Sequence, residues 1–552
     1  MLVGIDVGGT FTDAVVVQNN RVVAQSKVPT THNRLLDGIL AVMDQVMAAL
    51  EIHVVERITL STTIVTNTLI EGRTDPVGLC IIPGPGLDIS PFVPGKAVVL
   101  SGYTDHRGRE RAVIRQEEIL AACRQVHDCE VLAVSGKFAV RNPKQEMSVA
   151  QELTERKRPR HISLGTSLSG SLNFLRRTNS AYYNAAVWRV FQDFAGAVET
   201  AVRQRGMHAP VYILKADGGT LPLAVARDLP VESIFTGPAA SVLGIIALNQ
   251  PQIPAVSLDI GGTTTDIALW EGGIPLFAAR GAYIGSYPTA VRSFRLKSVG
   301  VGGDSFVRRQ DRKLCVGPQR RGAPMAMGGP VPTVTDALIV AGKMALGDCR
   351  LAQAAMHQVA LAGQSAKAAA AEVLAAAAAV IGQALSNMIE EQAAEPVYRV
   401  EDIITGKPFV PELLIGVGGA AAGLTPVVAE HLQMAYLVPP GAEVANAVGA
   451  AVSRPTLEVT FRADTEQGYY TVTEMGLREP LPSGKTGRNA LRSLAQQHLI
   501  ERARQAGIDA GQIEQVYEEN FNVVKGFRTV GEIMTSRLQI MPGVLGKIDS
   551  FC

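Results

Sequence analysis

Asp6-Val7-Gly8-Gly9-Thr10-Phe11-Thr12-Asp13 recurs in this chain as Asp259-Ile260-Gly261-Gly262-Thr263-Thr264-Thr265-Asp266. Six of the eight positions are identical. A short apolar run precedes each copy (Leu2 to Ile5; Ala255 to Leu258) and another follows it (Ala14 to Val17; Ile267 to Trp270). Apolar run, tight glycine turn, apolar run reads as a β-hairpin in each half. The copies begin 253 residues apart in a chain of 552. That spacing is far longer than a solenoid period and predicts two homologous lobes facing each other.

The residue types carry the chemistry. The glycine pairs Gly8-Gly9 and Gly261-Gly262 lack Cβ and can take positive φ, so backbone N–H groups can approach an anion closely. Thr10, Thr12, Thr263, Thr264 and Thr265 add hydroxyl donors for phosphate. Asp6 and Asp259 each end a buried strand and offer hard oxygen ligands to Mg²⁺, directly or through water. Two such hairpins would grip a nucleoside triphosphate from opposite sides. One copy alone would read equally well as a plain turn; two copies that keep both Asp and both Thr positions favour the phosphate site.

Composition bounds the rest. A chain of this length suggests two to four domains. With 47% hydrophobic and 19% charged residues it is globular. A net charge of +1 argues against an electrostatic nucleic-acid surface. The six cysteines form no CxxC pair and read as reduced cytosolic thiols. The nine histidines form no HxH or HxxxH pair, against a protein-held zinc site. The chain enters a strand at once, leaving no room for a signal peptide. Its most apolar stretch, Val373 to Met388, is read as too short to span a bilayer. The expectation is a cytoplasmic protein with no membrane association.

In chain order, Arg21 to Val28 reads as a strand and Asn33 to Leu50 as a helix with apolar spacing. A strand over Arg57 to Leu60 leads to Ser61-Thr62-Thr63-Ile64-Val65-Thr66-Asn67-Thr68. Those hydroxyls crowd a helix start, forming a polar wall near phosphate or an N-cap cluster. Asn179 and Asn184 are the polar exceptions in a long helix, Arg176 to Ala201, and are weak candidates for substrate contact. Asp217 follows the buried strand Val211 to Leu214, at the carboxyl end where open α/β sheets place ligands. It reads as a catalytic carboxylate or as a turn residue. Asn249 to Pro254 is the natural boundary between lobes.

In the second half, Gly302 and Gly303 bring backbone toward a nucleotide or form a loop at the lobe interface. Thr333 to Ala337 could cap a helix running to Leu346. Leu351 to Ala394, rich in Ala and free of Pro, reads as one long helix or two, interrupted near Gly363 or Gly382. A buried strand, Phe409 to Ile415, enters Gly416-Val417-Gly418-Gly419, whose small residues let an adenosine lie against the backbone. An Ala/Gly helix spans Val444 to Val452. The domain reading is residues 1–250, 251–455 and a separate small C-terminal α+β unit, 456–552. In that unit, strands are expected at Tyr469 to Thr473 and Phe521 to Val530, with a helix over Asn489 to Ala506. Ser483-Gly484-Lys485-Thr486 looks like the end of a P-loop, but Glu479 stands where that motif needs Gly.

The motifs together resemble the hydantoinase A/5-oxoprolinase family of the actin/hexokinase/Hsp70-like ATPase superfamily. The carrying residues are GIDVGGTFTD (Gly4 to Asp13), STTIVTNTLIEGR (Ser61 to Arg73), KADGG (Lys215 to Gly219), TGPAASVLG (Thr236 to Gly244), SLDIGGTTTDIAL (Ser257 to Leu269), VGVGGDS (Val299 to Ser305), PTVTDA (Pro332 to Ala337), GVGGAAAGLTP (Gly416 to Pro426) and VPPGAEVANAVGAA (Val438 to Ala451). They cover roughly residues 2 to 455. The resemblance implies an α/β fold of two ribonuclease-H-like lobes, an actin-like ATPase fold with ATP in the cleft. It implies a hydrolase that opens a cyclic amide, hydantoin or 5-oxoproline, through a phosphorylated intermediate. Asp6 and Asp259 would serve Mg²⁺, the hairpin Gly and Thr residues the phosphates, and Gly416, Gly418 and Gly419 adenosine. Asp13 and Asp266 would position water or cap their turns.

Three departures qualify the likeness. Long members carry a larger C-terminal region. Many relatives have a His-Glu pair where this chain reads Gly165-Thr166-Ser167-Leu168-Ser169, and Arg177 stands near a place where many have Glu. Relatives often work with a separate B-type subunit, and a homo-oligomer is open as well. Other readings in the same superfamily are an ATP-dependent carboxylase subunit, a small-molecule kinase and a regulatory ATPase. The last usually carries cluster-binding cysteines, for which no motif exists here.

Overall fold

The computed structural model describes residues 1–30, 35–48, 55–86, 88–394, 409–484 and 487–551. Both repeated phrases form hairpins. Leu2–Val7 pairs antiparallel with Phe11–Gln18, and Ala255–Ile260 with Thr265–Glu271. In each, the first and last Asp of the phrase stand directly opposite: Asp6 against Asp13, Asp259 against Asp266.

The sheets built on these hairpins share one topology. In the first lobe the meander Leu2–Val7, Phe11–Gln18, Arg21–Pro29 is joined on its other side by the parallel strands Arg57–Thr62 and Val211–Leu214. In the second, Ala255–Ile260 and Thr265–Glu271 are followed outward by Ile274–Pro275 and Leu296–Val299, and Leu413–Val417 and Ala435–Leu437 run parallel on the other side. An antiparallel meander whose first strand is extended by parallel strands is the ribonuclease-H-like arrangement, here present twice.

Two helices tie the lobes. Thr236–Asn249, the last helix of the first lobe, packs Ala240, Leu243 and Ile245 into a core with Ala255, Trp270 and Ile415 of the second. Ala445–Val452 does the reverse, packing Ala447, Val448 and Ala451 against Val15, Val17 and Val22 of the first. Close approach between these elements depends on glycine. A Cβ on Gly4 would sit 2.1 Å from the Ala447 carbonyl oxygen, and one on Gly449 would sit 2.0 Å from that of Ala240.

Residues 456–552 do not stand apart as expected. A five-stranded antiparallel sheet and the helix Arg488–Gln505 contribute Phe461, Tyr470 and Leu499 to the same core as Ile5 and Phe191. The final strand, Ser550–Phe551, joins the edge of the first-lobe sheet beside Arg21 and Val22. The strand expected over Phe521 to Val530 is the tip of a longer hairpin, Ile513–Lys525 with Arg528–Ile540, which turns at Gly526 (φ 62°). Within the first lobe, Val77–Ile82, Ala97–Val99, Val131–Gly136 and His161–Leu164 form a parallel sheet of their own.

Other boundaries moved for local reasons. The helix expected to reach Leu346 is Val334–Val340, with Gly342 at φ 71° just beyond it. The Ala-rich segment breaks near Gly363 into Cys349–Val359 and Ala366–Ala393. The latter has 28 residues and is long and apolar enough to cross a membrane, contrary to the expectation from length. Half of its most apolar window is nevertheless buried inside the second lobe. The helix expected from Asn33 to Leu50 is seen over Leu35–Met47, and its outer ends lie outside the described residues.

Gly4→Ala and Gly449→Ala should each lower the unfolding free energy by at least about 1–3 kcal/mol, because the Cβ meets backbone that cannot give way. Urea denaturation of the two variants checks this.

Candidate active site

The two hairpin turns face each other across a cleft of about 560 Å³, within the size range of small-molecule sites. Each turn is closed by one backbone bond, Gly8 N–H to the Phe11 carbonyl and Gly261 N–H to the Thr264 carbonyl, both 3.0 Å. The turns nearly touch: a Cβ on Gly262 would lie 2.6 Å from Thr10 Oγ1, and one on Gly9 would lie 3.7 Å from Thr263 Oγ1. Missing side chains therefore let the lobes close on each other.

Most of the sequence-predicted site lines this cleft: Asp6, Gly8, Gly9, Thr10, Asp13, Asp259, Gly261, Gly262, Thr263, Thr264, Asp266, Gly303, Gly418 and Gly419. Gly418 takes φ 94° and passes so close that a Cβ would lie 2.6 Å from Asp259 Oδ1. Beside Gly418, Gly419 and Ala420, an apolar wall of Ala323, Pro324, Met327, Met344 and Leu346 completes one end. Met327 and Leu346 are 49% and 44% exposed there, an apolar face suited to a base.

Five predicted residues fall elsewhere. Strand alternation turns Thr12 and Thr265 away from the face that carries Asp13 and Asp266. Thr12 is buried beside Thr30 Oγ1 at 3.1 Å, and Thr265 donates to the Val301 carbonyl at 2.6 Å. Gly302 packs on the second turn, where a Cβ would meet the Gly261 carbonyl at 2.5 Å; Gly303 and Asp304 donate backbone N–H groups to Gly261 and Gly262. Gly416 lies inside its strand against Thr425, so its role is packing and not adenosine contact. Asp217 pairs with Lys215 at 3.2 Å and accepts from Gly219 N–H at 2.9 Å, away from the cleft lining. Burial works to raise its pKa, but Lys215 and Arg292 outweigh it and hold the carboxyl low.

The weaker candidates resolve similarly. Asn184 bridges Ser163, the Asp228 carbonyl and Val231 N–H, and Asn179 donates to the Pro288 carbonyl. In the Ser/Thr cluster only Thr63 reaches the cleft; Thr62 and Thr66 bind the start of helix Thr236–Asn249 through Thr236 and Phe235. Arg177 is fully buried, donating to the carbonyls of Gly136, Lys137 and Ser171, near the buried Glu146 that accepts from Gly136 and Thr166 N–H groups.

Sequence reading missed Lys27, Arg320, Glu443 and Asn446, which also line the cleft. Lys27 pairs with Asp13 at 3.0 Å, and Arg320 with Asp304 at 3.0 Å. Asn446 donates to Asp259 Oδ2 at 2.9 Å. Its signal was present: it is the lone polar residue in an Ala/Val/Gly helix.

Electrostatics single out the aspartates. Burial pushes Asp6 up to about 7, with Asp13 adding to the rise and Ser61 and Asn446 opposing it. Burial, with Asp266 and Asp6 nearby, pushes Asp259 to about 8. Asp266 rises to about 6 from burial alone, and burial raises Asp13 against the pull of Lys27. Asp6 Oδ1 and Thr10 Oγ1 are buried without a hydrogen-bond partner. Among the described residues, no three His, Cys, Asp or Glu side chains form a metal cage. Mg²⁺ needs none: one or two carboxylates with phosphate oxygens and water suffice, and the orphaned oxygen on Asp6 fits that role.

Twin ribonuclease-H-like lobes with facing phosphate-type turns define an actin-like ATPase fold. Residues 2–156 match the family model for the hydantoinase/oxoprolinase N-terminal region, and residues 177–459 match that for hydantoinase/oxoprolinase. The chain belongs to the hydantoinase/oxoprolinase family. It is 28% identical to the caprolactamase subunit alpha of Pseudomonas jessenii over 62% of this chain and 55% of that one. It is 27% identical to the acetophenone carboxylase gamma subunit of Aromatoleum aromaticum over 62% of this chain and 53% of that one. The chain thus spans about half the length of these curated relatives. A nucleotide-free acetone carboxylase structure shares the fold, with TM-score 0.71 at 17% identity over 98% of this chain and 87% of that one.

The raised carboxylates give a pH dependence of definite sign. Unfolded, they ionise near 4; folded, Asp6 and Asp259 hold their protons to about 7 and 8. Between those values the native state binds more protons, so stability falls as pH rises. Without Mg²⁺ and nucleotide, the urea midpoint should drop from pH 6 to pH 8, and Asp259→Asn should flatten that slope.

Proposed function

We propose that the chain uses ATP to phosphorylate the oxygen of a weakly electrophilic carbonyl, with a cyclic amide as the preferred substrate class. The observation that carries this is the pair of facing turns, each flanked by two desolvated aspartates, around a cleft with an apolar base-sized wall.

Phosphoryl transfer asks mainly for positioning and charge neutralisation. Backbone N–H groups of Gly9 and Gly262, with the hydroxyls of Thr10, Thr263 and Thr264, would hold the phosphates, while the Gly8 and Gly261 N–H groups close the turns. Asp6 and Asp259 would hold Mg²⁺, which when bound neutralises charge on the phosphate oxygens. The amide oxygen attacks the γ-phosphorus and ADP departs. Water then adds to the activated carbon, the C–N bond breaks to release the amine and leave an acyl phosphate, and a second water hydrolyses that to a carboxylate and phosphate. Asp13 or Asp266 is the nearest candidate to orient that water.

The caprolactamase relative supports the cyclic-amide reading. The acetophenone carboxylase and acetone carboxylase likenesses favour a second reading, in which phosphorylated enol is carboxylated. Both relatives are named as subunits, which supports a partner chain; we infer that this partner is of B type and that the activity is cytoplasmic.

ADP release with Mg²⁺ and ATP, measured against lactams, hydantoins, 5-oxoproline and ketones with bicarbonate, checks the proposal. A cyclic amide should stimulate turnover, and Asp6→Ala and Asp259→Ala should each lower it by at least about 100-fold, as loss of groups that stabilise transition-state charge does. Stimulation by ketone and bicarbonate alone would select the carboxylase reading.

A further inference from the structure

Helix Ala445–Val452 belongs to the second lobe in sequence, yet it is locked to the first. The Ala447 carbonyl and Ala451 lie against Gly4, in the strand that ends at Asp6, and Gly449 and Ala445 lie against Ala240 and Gly244. A side chain at Gly4, Gly244 or Gly449 would overlap backbone at 2.0–2.1 Å. The helix therefore cannot shift along the strand that carries Asp6.

Asn446 is the second residue of this helix. Its side chain enters the cleft. It lines the cleft beside Asp6 of the first lobe and donates from Nδ2 to Asp259 Oδ2 of the second, at 2.9 Å. Its Oδ1 is buried and has no hydrogen-bond partner among the described residues, as is Asp6 Oδ1. Two orphaned acceptor oxygens thus share a site with two carboxylates. Buried acceptors left without donors are costly, and a hydrated cation answers both at once.

We propose that Asn446 is a positioning residue for the Mg²⁺–nucleotide complex. Its amide N–H group holds Asp259 in register with Asp6 across the lobes, and its carbonyl oxygen accepts from the hydration shell of the cation. This rests on the nucleotide reading above and adds a residue to it. Because the helix is fixed to the first lobe and the bond reaches the second, the cation would draw on residues of both lobes at once.

The test is binding, not turnover. Affinity for a fluorescent ATP analogue is measured with EDTA and across a Mg²⁺ titration, for wild type, Asn446→Ala and Asn446→Leu, the latter keeping the volume. Mn²⁺ binding followed by electron paramagnetic resonance is a second readout. Groups that orient metal-bound ligands change metal affinity by about 10–100-fold. Both variants should need at least about tenfold more Mg²⁺ for half-maximal nucleotide binding. Their affinity in EDTA should stay within about twofold, as should their urea midpoints. Unchanged Mg²⁺ dependence would overturn the proposal. Equal losses with and without Mg²⁺, together with a lowered midpoint, would overturn it too, by assigning Asn446 to packing. Failure of wild type to bind nucleotide under any condition would instead sink the nucleotide reading itself.

Discussion

Burying carboxylates of like charge is costly, and the rest of this structure is arranged around doing so. Asp6, Asp13, Asp259 and Asp266 converge from two lobes on one cleft, and each is held above its ordinary pKa chiefly by loss of water. A fold does not keep such a cluster for stability, since ionising it at neutral pH weakens the native state. Under the proposed function a bound cation would offset that cost, with phosphate oxygens and N–H groups as the remaining partners.

That constraint explains the architecture around it. Each pair of aspartates must face the cleft, which the hairpin register achieves by setting Asp6 opposite Asp13 and Asp259 opposite Asp266. The two turns must approach within contact distance, which requires glycine at Gly262. The lobes must keep a fixed relation, which the exchanged helices Thr236–Asn249 and Ala445–Val452 provide by packing into each other's cores. The C-terminal sheet extends the first-lobe core and closes its open edge through Ser550–Phe551.

Much of this was legible in the sequence because the repeated phrase encodes both a local structure and its chemistry. Asp, Gly, Gly and Thr at fixed spacing specify the turn, which both lobes form; the anion site and metal ligand read from the same residues belong to the proposed function. The failures have physical causes. Thr12 and Thr265 were assigned by residue type, while strand alternation sends them into the core. Gly416 was read as nucleotide-facing, while its missing Cβ makes room for Thr425. Asp217 sits at a strand end, as a ligand residue would, but its charge is spent on Lys215. The hairpin tip near Gly526 was read as one strand because a single Gly, between Lys525 and Phe527, is a weak turn signal. Lys27 and Arg320 reach the cleft from distant elements, and no local pattern links them to it; Asn446 was marked only by being the lone polar residue of its helix.

The most direct measurement is a crystal structure with a non-hydrolysable ATP analogue and Mn²⁺, with the cation located by anomalous scattering. The account predicts an anomalous peak between Asp6 and Asp259. Phosphates should lie on the Gly8–Thr10 and Gly261–Thr264 turns, with the base against Met327, Met344 and Leu346. A nucleotide bound elsewhere, or a cation that touches neither aspartate, would contradict it.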